Sequence, residues 1–262
     1  AMLILTCPAQ LQRLEGALRR SLPLALPVHG AVMNMNRGNP GDFEAVVDAW
    51  PDFHAVPIPA PQVPADDCYM NMHAAFYRDL GAYRALLESP GALHWDTAFH
   101  IFGGARGGGR WGGQGSGTQG AETGVQCLLR LTDAPPCRLD PGVRVGSLSP
   151  AHADLLDATW AYGGNAWSRR YLADMVARFP SLCLLTATAT QPLCWVLLDP
   201  FGTAAHGYTL PTHRRRGHMR ALTVLAARQA QARGFPAFGH TAPDNRPMQR
   251  LQERVPRGWR EH

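Results

Sequence analysis

The stretch Gly207–Gly217, GYTLPTHRRRG, joins the end of a strand pattern to the start of a long amphipathic one. Ala204 to Leu210 reads as a strand, and Pro211 closes it because proline cannot donate to a ladder. Arg216 to Arg233 then sets Met219, Leu222, Leu225 and Ala226 on one helical face, with Gly234 as the C-terminal cap. Arg214, Arg215, Arg216, Gly217, His218 and Met219 fill the turn between them. A helix N-terminus offers unpaired N–H groups and the positive end of a dipole. An arginine-rich turn ending in glycine lets the backbone wrap an anion such as a pyrophosphate closely. Three arginines in a row also read as a solvated charge run; the strand–turn–helix setting favours the phosphate.

Working outward, Phe235 to Thr241 forms a further strand and Asn245 to Arg254 begins another helix. Few residues remain after it for the last strands of such a fold. Upstream, Leu182 to Ala189 and Cys194 to Leu198 read as a hairpin across the polar TQP turn, and Asp199-Pro200-Phe201-Gly202 as the next turn. Two helices, from Ser149 to Trp160 and from Ser168 to Phe179, flank the turn Gly163-Gly164-Asn165. The segment Gly103 to Gly124 is dominated by glycine and cannot bury a face, which predicts a disordered linker. Its GGQGSG lacks the lysine and the helix that a nucleotide loop requires.

The first half reads as mixed α/β. Strands are expected at Met2 to Cys7, Pro27 to Asn34 and His94 to Phe102. Helices are expected at Gln10 to Leu22, Asp42 to Trp50 and Asn71 to Leu87, with a proline-rich loop from Pro57 to Pro64. Asn36, Arg37 and Asn39 lie in a turn-rich loop, where turn chemistry and substrate contact are equally open.

The 262 residues allow one large domain or two modest ones, and 45% hydrophobic content excludes a wholly disordered chain. Net charge is +5 and lysine is absent, so arginine supplies every permanent positive side chain. The six cysteines form no C-x-x-C pair and no Cys/His group with zinc spacing, so the reading is reduced, intracellular and metal-free. No run approaches the roughly 20 apolar residues of a membrane span. MLILTC reads as a strand rather than as a targeting sequence.

GYTLPTHRRRG, the ARGFP segment at Ala232 to Pro236, the WAYGGN turn at Trp160 to Asn165, GAVMNMNRGNP and DAWPDF together resemble the glycine N-acyltransferase family, within the GCN5-related N-acetyltransferase superfamily. The resemblance runs from Met2 to Val255 apart from the glycine tract. It implies an α+β chain of tandem acetyltransferase-like (GNAT) halves, each a mostly antiparallel central sheet flanked by helices. The division is residues 1–102, a linker over 103–124, and an acyl-CoA-binding domain over 125–262. It implies acyl-CoA as co-substrate, glycine as acceptor, no permanently bound cofactor and a monomer. Relatives point to mitochondria, with the endoplasmic reticulum or cytoplasm as alternatives.

In that superfamily the pyrophosphate loop reads Q/R-x-x-G-x-G/A. Arg214 and Gly217 match it, while Met219 stands where glycine or alanine is usual. Cofactor contacts are thus expected from Tyr208, Leu210, Arg214, Arg215, Arg216, Gly217, His218, Met219 and Asn245, with backbone N–H groups from Tyr208 to Leu210 polarising the thioester carbonyl. Capping by Asp244 or Asn245 is the plainer reading of that helix start. The family's glutamate base falls at Thr203, whose hydroxyl cannot act as a base near neutral pH. His206 titrates in the useful range but lies three residues away, on the opposite face of a regular strand unless a bulge rotates it. His240 is a second candidate. The alternative function is a non-catalytic acyl-CoA binder that has lost its base. A nucleic-acid module is disfavoured, since the basic residues cluster in one turn without interleaved aromatics.

Overall fold

A computed structural model describes residues 2–59, 67–90, 92, 99–103, 125–129, 139–188, 190–241 and 244–254. The chain divides into two compact units, Ala1–Ala121 and Glu122–His262. Residues 104–124, the bulk of the expected linker, lie outside the described residues.

In the first unit β1 (Leu3–Leu5) leads into α1 (Pro8–Arg19), which buries Leu14 and Leu18 and keeps its arginines outside. Next comes α2 (Leu26–Met35), where a strand was expected. All of α2 except Asn34 is buried, and its apolar residues run around the whole cylinder. A short apolar run has no period with which to tell strand from helix, and Pro27 fits a first helical turn. The expected helix over Asp42 to Trp50 is instead a turn followed by β2 (Ala45–Val47). The triplet AVV pairs antiparallel with β1, and Asp48 turns the chain by accepting the N–H groups of His54 and Ala55.

β3 (Ala55–Ile58) takes in Pro57 from the expected loop; it is an edge strand, where a missing N–H is tolerated. The long helix expected over Asn71 to Leu87 divides into β4 (Met72–Tyr77) and α3 (Leu80–Leu87). β4 is buried along nearly its whole length, which erases its period-2 signal, and Asp79 caps α3 through its carboxylate. β5 (His100–Gly103) completes a sheet of order β3-β4-β5, antiparallel then parallel. It keeps the end of the strand expected from His94; residues 93–98 lie outside the described residues.

The second unit follows its sequence pattern more closely. β6 (Val125–Leu129) and β7 (Val143–Gly146), too short to announce themselves, form the edges of a six-stranded sheet. A 3-10 turn opens α4 (Ala153–Thr159), and α5 (Ala166–Arg178) starts at a capping box of Asn165 and Ser168. β8 (Ser181–Thr186) and β9 (Pro192–Leu198) are the expected hairpin, and β10 (Thr203–Thr209) pairs antiparallel with β9. Then come α6 (His218–Ala232), β11 (Ala237–Thr241) and α7 (Arg246–Arg254). Sheet order is β6-β11-β10-β9-β8-β7, with β10–β11 the one parallel pair. The tandem, mixed α/β reading therefore holds.

One face of this sheet packs on α6 through Leu184, Cys194, Val196, Ala204, Leu222 and Ala226. The alternate residues Cys183, Trp195 and Leu197 are buried on the other face, the side of α5.

Candidate functional site

Two irregularities in β10 make the site. Its pairing with β11 covers only Thr203–Phe238 and Ala204–Gly239, whereas its pairing with β9 continues to Thr209–Cys194. β11 meanwhile stays paired with β6 from Ala237 to Thr241. The sheet therefore opens as a wedge between β10 and β11 beyond Ala204. At the apex a Cβ on Gly239 would lie 3.0 Å from the Ala204 carbonyl oxygen, so glycine permits the close crossing.

The second irregularity is a bulge. Ala205 faces Leu197 and Tyr208 faces Trp195, so β10 spends one residue more than β9. His206 sits there in the left-handed region, at φ 52°. This is the rotation that a regular strand denies it, and it turns the ring toward α5. The Tyr171 hydroxyl of α5 lies 3.1 Å from His206 Nε2. The Trp160 ring, at the end of α4, stands edge-on at 4.7 Å and 76°. Burial pushes the His206 imidazole down to about 4, so it is neutral at ordinary pH.

Thr203, at the start of the strand, is buried and donates its N–H to Asp199 Oδ1 at 2.8 Å. Phe201 donates to the same oxygen. The Thr203 hydroxyl lies near that carboxyl without closing a well-formed hydrogen bond. Asp199 thus pins the β9–β10 turn. Burial lifts its carboxyl to about 7, against the pull of the N–H groups of Thr203 and Phe201. Neither Tyr171 nor Asp199 stands out in the sequence as a site residue. One reads as helix core and the other as a turn former; the one available signal is that a buried tyrosine hydroxyl requires a partner.

Past the strand, a 3-10 turn over Pro211–His213 leads to Gly217, which starts α6 at φ 80° and has no side chain to cap it. The first N–H groups of α6 are accordingly without a side-chain cap from Gly217. Arg215 is also left-handed, at φ 62°, and Arg214, Arg215 and Arg216 are all exposed. They are not equivalent. Arg214 folds back, donating from Nε to the Thr209 carbonyl at 3.0 Å with its guanidinium over the Tyr208 ring. The other two are exposed where α6 begins.

The remaining expected contacts divide. His218 is buried, with its ring directed to Asp140 at 3.9 Å, so it can offer a ligand its backbone N–H but not its side chain. Met219 packs toward β10, its Sδ and Cε 3.6 Å from where a Gly207 Cβ would stand. The Leu210 N–H is donated to the Leu193 carbonyl at 2.9 Å, so it is not free to polarise a thioester. Asn245 accepts the Met248 N–H and caps α7. His240 follows the last β10–β11 pair, edge-on to Phe238, its proton affinity lowered by burial. In the first unit Asn36 and Arg37 donate to Glu15, and Asn39 bonds both backbone groups of Phe43, so all three hold their own loop. Among the described residues Cys7, Cys68, Cys183 and Cys194 are free cysteines. Among the described residues no group of three metal-ligating side chains forms, and no helix is long and apolar enough to cross a membrane.

Comparison with known proteins adds to this geometry. The profile of the family described as aralkyl acyl-CoA:amino acid N-acyltransferase matches residues 2–107 and 123–180, and that of its C-terminal region matches 182–260. Glycine N-acyltransferase of Bos taurus is 30% identical over 291 aligned positions, covering 96% of this chain and 94% of that protein. A solved Drosophila structure superposes with a TM-score of 0.70 at 12% identity, covering 100% of this chain and 95% of its own. A tandem GNAT protein from the clavulanic acid biosynthesis pathway gives 0.52 at 11% identity, over 97% and 93% of the two chains. At such identities the two structures speak for the fold alone.

Proposed function

The chain belongs to the aralkyl acyl-CoA:amino acid N-acyltransferase family, and on that premise we propose that it transfers an acyl group from acyl-CoA to the amino group of glycine. The observation that carries this reading is the wedge in β10–β11 with the uncapped start of α6 beyond it. A wedge admits an extended thioester arm between two strands, and an open helix end suits the pyrophosphate at the far end of that arm. The first N–H groups of α6, at His218 and Met219, with Arg215 and Arg216, would hold the phosphates. Arg214, tied to Thr209 and Tyr208, would keep the strand end in place beside them. The working division of the chain is 1–102, 103–124 and 125–262, with this site in the last part.

Acyl transfer to an amine needs a neutral nucleophile and a route for its proton. Thr203 occupies the place of the family's glutamate and is a positioning group, not a base. His206 takes the proton in this reading. An imidazole near 4 is too weak to deprotonate free glycine, whose amine must arrive neutral; it is suited to the acidic proton of the adduct that forms on attack. It follows that kcat/KM for glycine rises with pH as the amine loses its proton, without a limb near 6.5 from His206. A limb near 6.5 that vanishes in His206→Ala would contradict this assignment.

A panel of acyl-CoA donors against glycine and a few other amino acids, scored by coenzyme A release, tests the function. The buried, carboxylate-free Thr203 favours a second reading, an acyl-CoA binder without turnover. Calorimetric binding of acyl-CoA without thiol release would select it. We place the protein in mitochondria, as a monomer, on family resemblance; fractionation and sedimentation check both.

A further inference from the structure

His206 combines two unfavourable features at one residue. Its backbone is left-handed, a conformation that strains a non-glycine residue. Its Nδ1 atom is buried and finds no hydrogen-bond partner among the described residues. Only Nε2 is engaged, by the Tyr171 hydroxyl. A fold that only needed to fill this space would do so better with an apolar side chain. Strain and an unpaired ring atom held together beside the wedge point to a ligand group as the partner of Nδ1.

The contact with Tyr171 bears on which ring nitrogen carries the hydrogen. Tyr171 is buried, and burial together with the nearby Asp199 carboxyl holds its phenol firmly protonated. A phenol oxygen can accept a hydrogen bond as well as give one. With Nε2–H as the donor to it, the lone pair of the imidazole is at Nδ1. Trp160 and Tyr171, with ring centroids 4.7 Å and 5.6 Å from His206, keep the ring from turning over.

We propose that Tyr171 is a positioning residue for acyl transfer, fixing His206 as the Nε2–H tautomer so that the Nδ1 lone pair meets the proton of the attacking amine. The inference rests on the acyl-transfer reading above. The amine nitrogen attacks the thioester carbon, forming the C–N bond and a tetrahedral adduct with a positive nitrogen. That nitrogen gives one proton to Nδ1, and the resulting imidazolium is held by the phenol oxygen, with the Asp199 carboxyl behind it. The adduct collapses with loss of the C–S bond, the sulfur leaves with the electron pair, and the imidazolium returns the proton to it. Amide and free thiol are the products, and His206 ends neutral as it began.

The test joins kinetics to 15N NMR of the histidine ring. Tyr171→Phe keeps the packing and removes the hydroxyl. It is expected to lower kcat with glycine by about 30-fold, inside the range of general acid–base effects, with KM for acyl-CoA changed less than about twofold. In a His206→Ala background the same substitution is expected to have no further effect, since two residues acting as one unit are non-additive. The 15N spectrum of the unaltered protein should show Nε2–H at His206, and Tyr171→Phe should give a tautomer mixture. Wild-type kcat in Tyr171→Phe, an equal loss with and without His206, or an Nδ1–H wild-type ring would each overturn the proposal. If the unaltered protein releases no coenzyme A from any donor, the acyl-transfer reading falls, and with it the catalytic role of Tyr171. The spectrum still decides the tautomer separately.

Discussion

The two units contain the same strand–helix–strand turn and close it in opposite ways. In the first, β4 runs beside the antiparallel β3, passes through α3 and returns as the parallel β5. In the second, β10 runs beside β9, passes through α6 and returns as β11. Both returning strands use a glycine at the crossing: Gly103 against the Ala75 carbonyl and Gly239 against that of Ala204. There the likeness ends. β4 keeps an unbroken register on both sides, while β10 bulges and parts from β11. α3 is capped by its own Asp79 carboxylate, which accepts the Ala82 N–H at 2.6 Å; α6 begins at a glycine with nothing to cap it. An anionic cap for the helix end is built into the first unit and is not supplied by the Gly217 position in the second. Shared topology thus provides a helix start beside a strand end, and one side chain decides whether it is capped.

The most severe way to break the contrast is to give α6 the cap of α3. Gly217→Asp is expected to weaken coenzyme A binding at least about 100-fold, because a carboxylate takes up the open N–H groups and repels the pyrophosphate. The left-handed φ at Gly217 strains any side chain, so Gly217→Asn, neutral and tolerant of that region, serves as the control. Calorimetric titration should place Asn between glycine and Asp; equal losses would assign the effect to backbone strain and not to charge.

A second contrast concerns the buried histidines. His29 of α2 has neither ring nitrogen partnered, and burial pushes it down to about 4. The unfolded chain protonates near 6.5, so between pH 6.5 and 4 the unfolded state binds more protons than the folded one. Stability from this group is complete above pH 6.5 and is lost progressively as pH falls through that window, by roughly 3 kcal/mol in all. His206, also near 4, acts in the same direction in the second unit. His29→Leu should flatten the acid limb of urea unfolding measured between pH 7 and 4.5; an unchanged limb would place the acid sensitivity elsewhere.

Smaller effects separate the arginines and the cap. Arg216→Ala is expected to weaken coenzyme A binding about 10-fold, less so at high salt, as for an exposed charge-assisted contact. Salt-independent binding would remove Arg216 from the phosphate site. Asp79→Ala should lower stability by about 1 kcal/mol and leave coenzyme A affinity alone. A change in that affinity would mean that the first unit also takes part in binding.

The same contrast governs what the sequence discloses. In the second unit the hairpin, β10, α6 and β11 are legible because one packed face alternates with another and Pro211 and Gly234 punctuate them. The first unit hides α2 and β4 because both are buried all around, and burial on every side removes the period that distinguishes 3.6 from 2. The turn proposed for the phosphates is legible as a turn between strand and helix because its residues are local, within Arg214 to Met219. The Tyr171–His206 contact spans 35 residues and depends on one extra residue in β10. An alternating pattern can allow such a bulge without locating it. The resemblance marked Thr203 as the place of a missing base, while Asp199, four residues earlier, passes in the sequence for a turn former.

The bulge has a further consequence, which is one of counting. Between positions that share the α6 side, β9 uses four steps, Cys194 to Leu198, and β10 uses five, Ala204 to Thr209. The strand therefore changes frame midway: even separations mean the same side before the bulge and the opposite side across it. Deleting one residue there, even a glycine that touches no ligand, would restore a single frame and exchange the inner and outer sides of everything on one flank. Thr209 would leave Cys194, or Ala204 would leave its cluster, with no other residue altered. In this strand the number of residues is as much a part of the site as their identity.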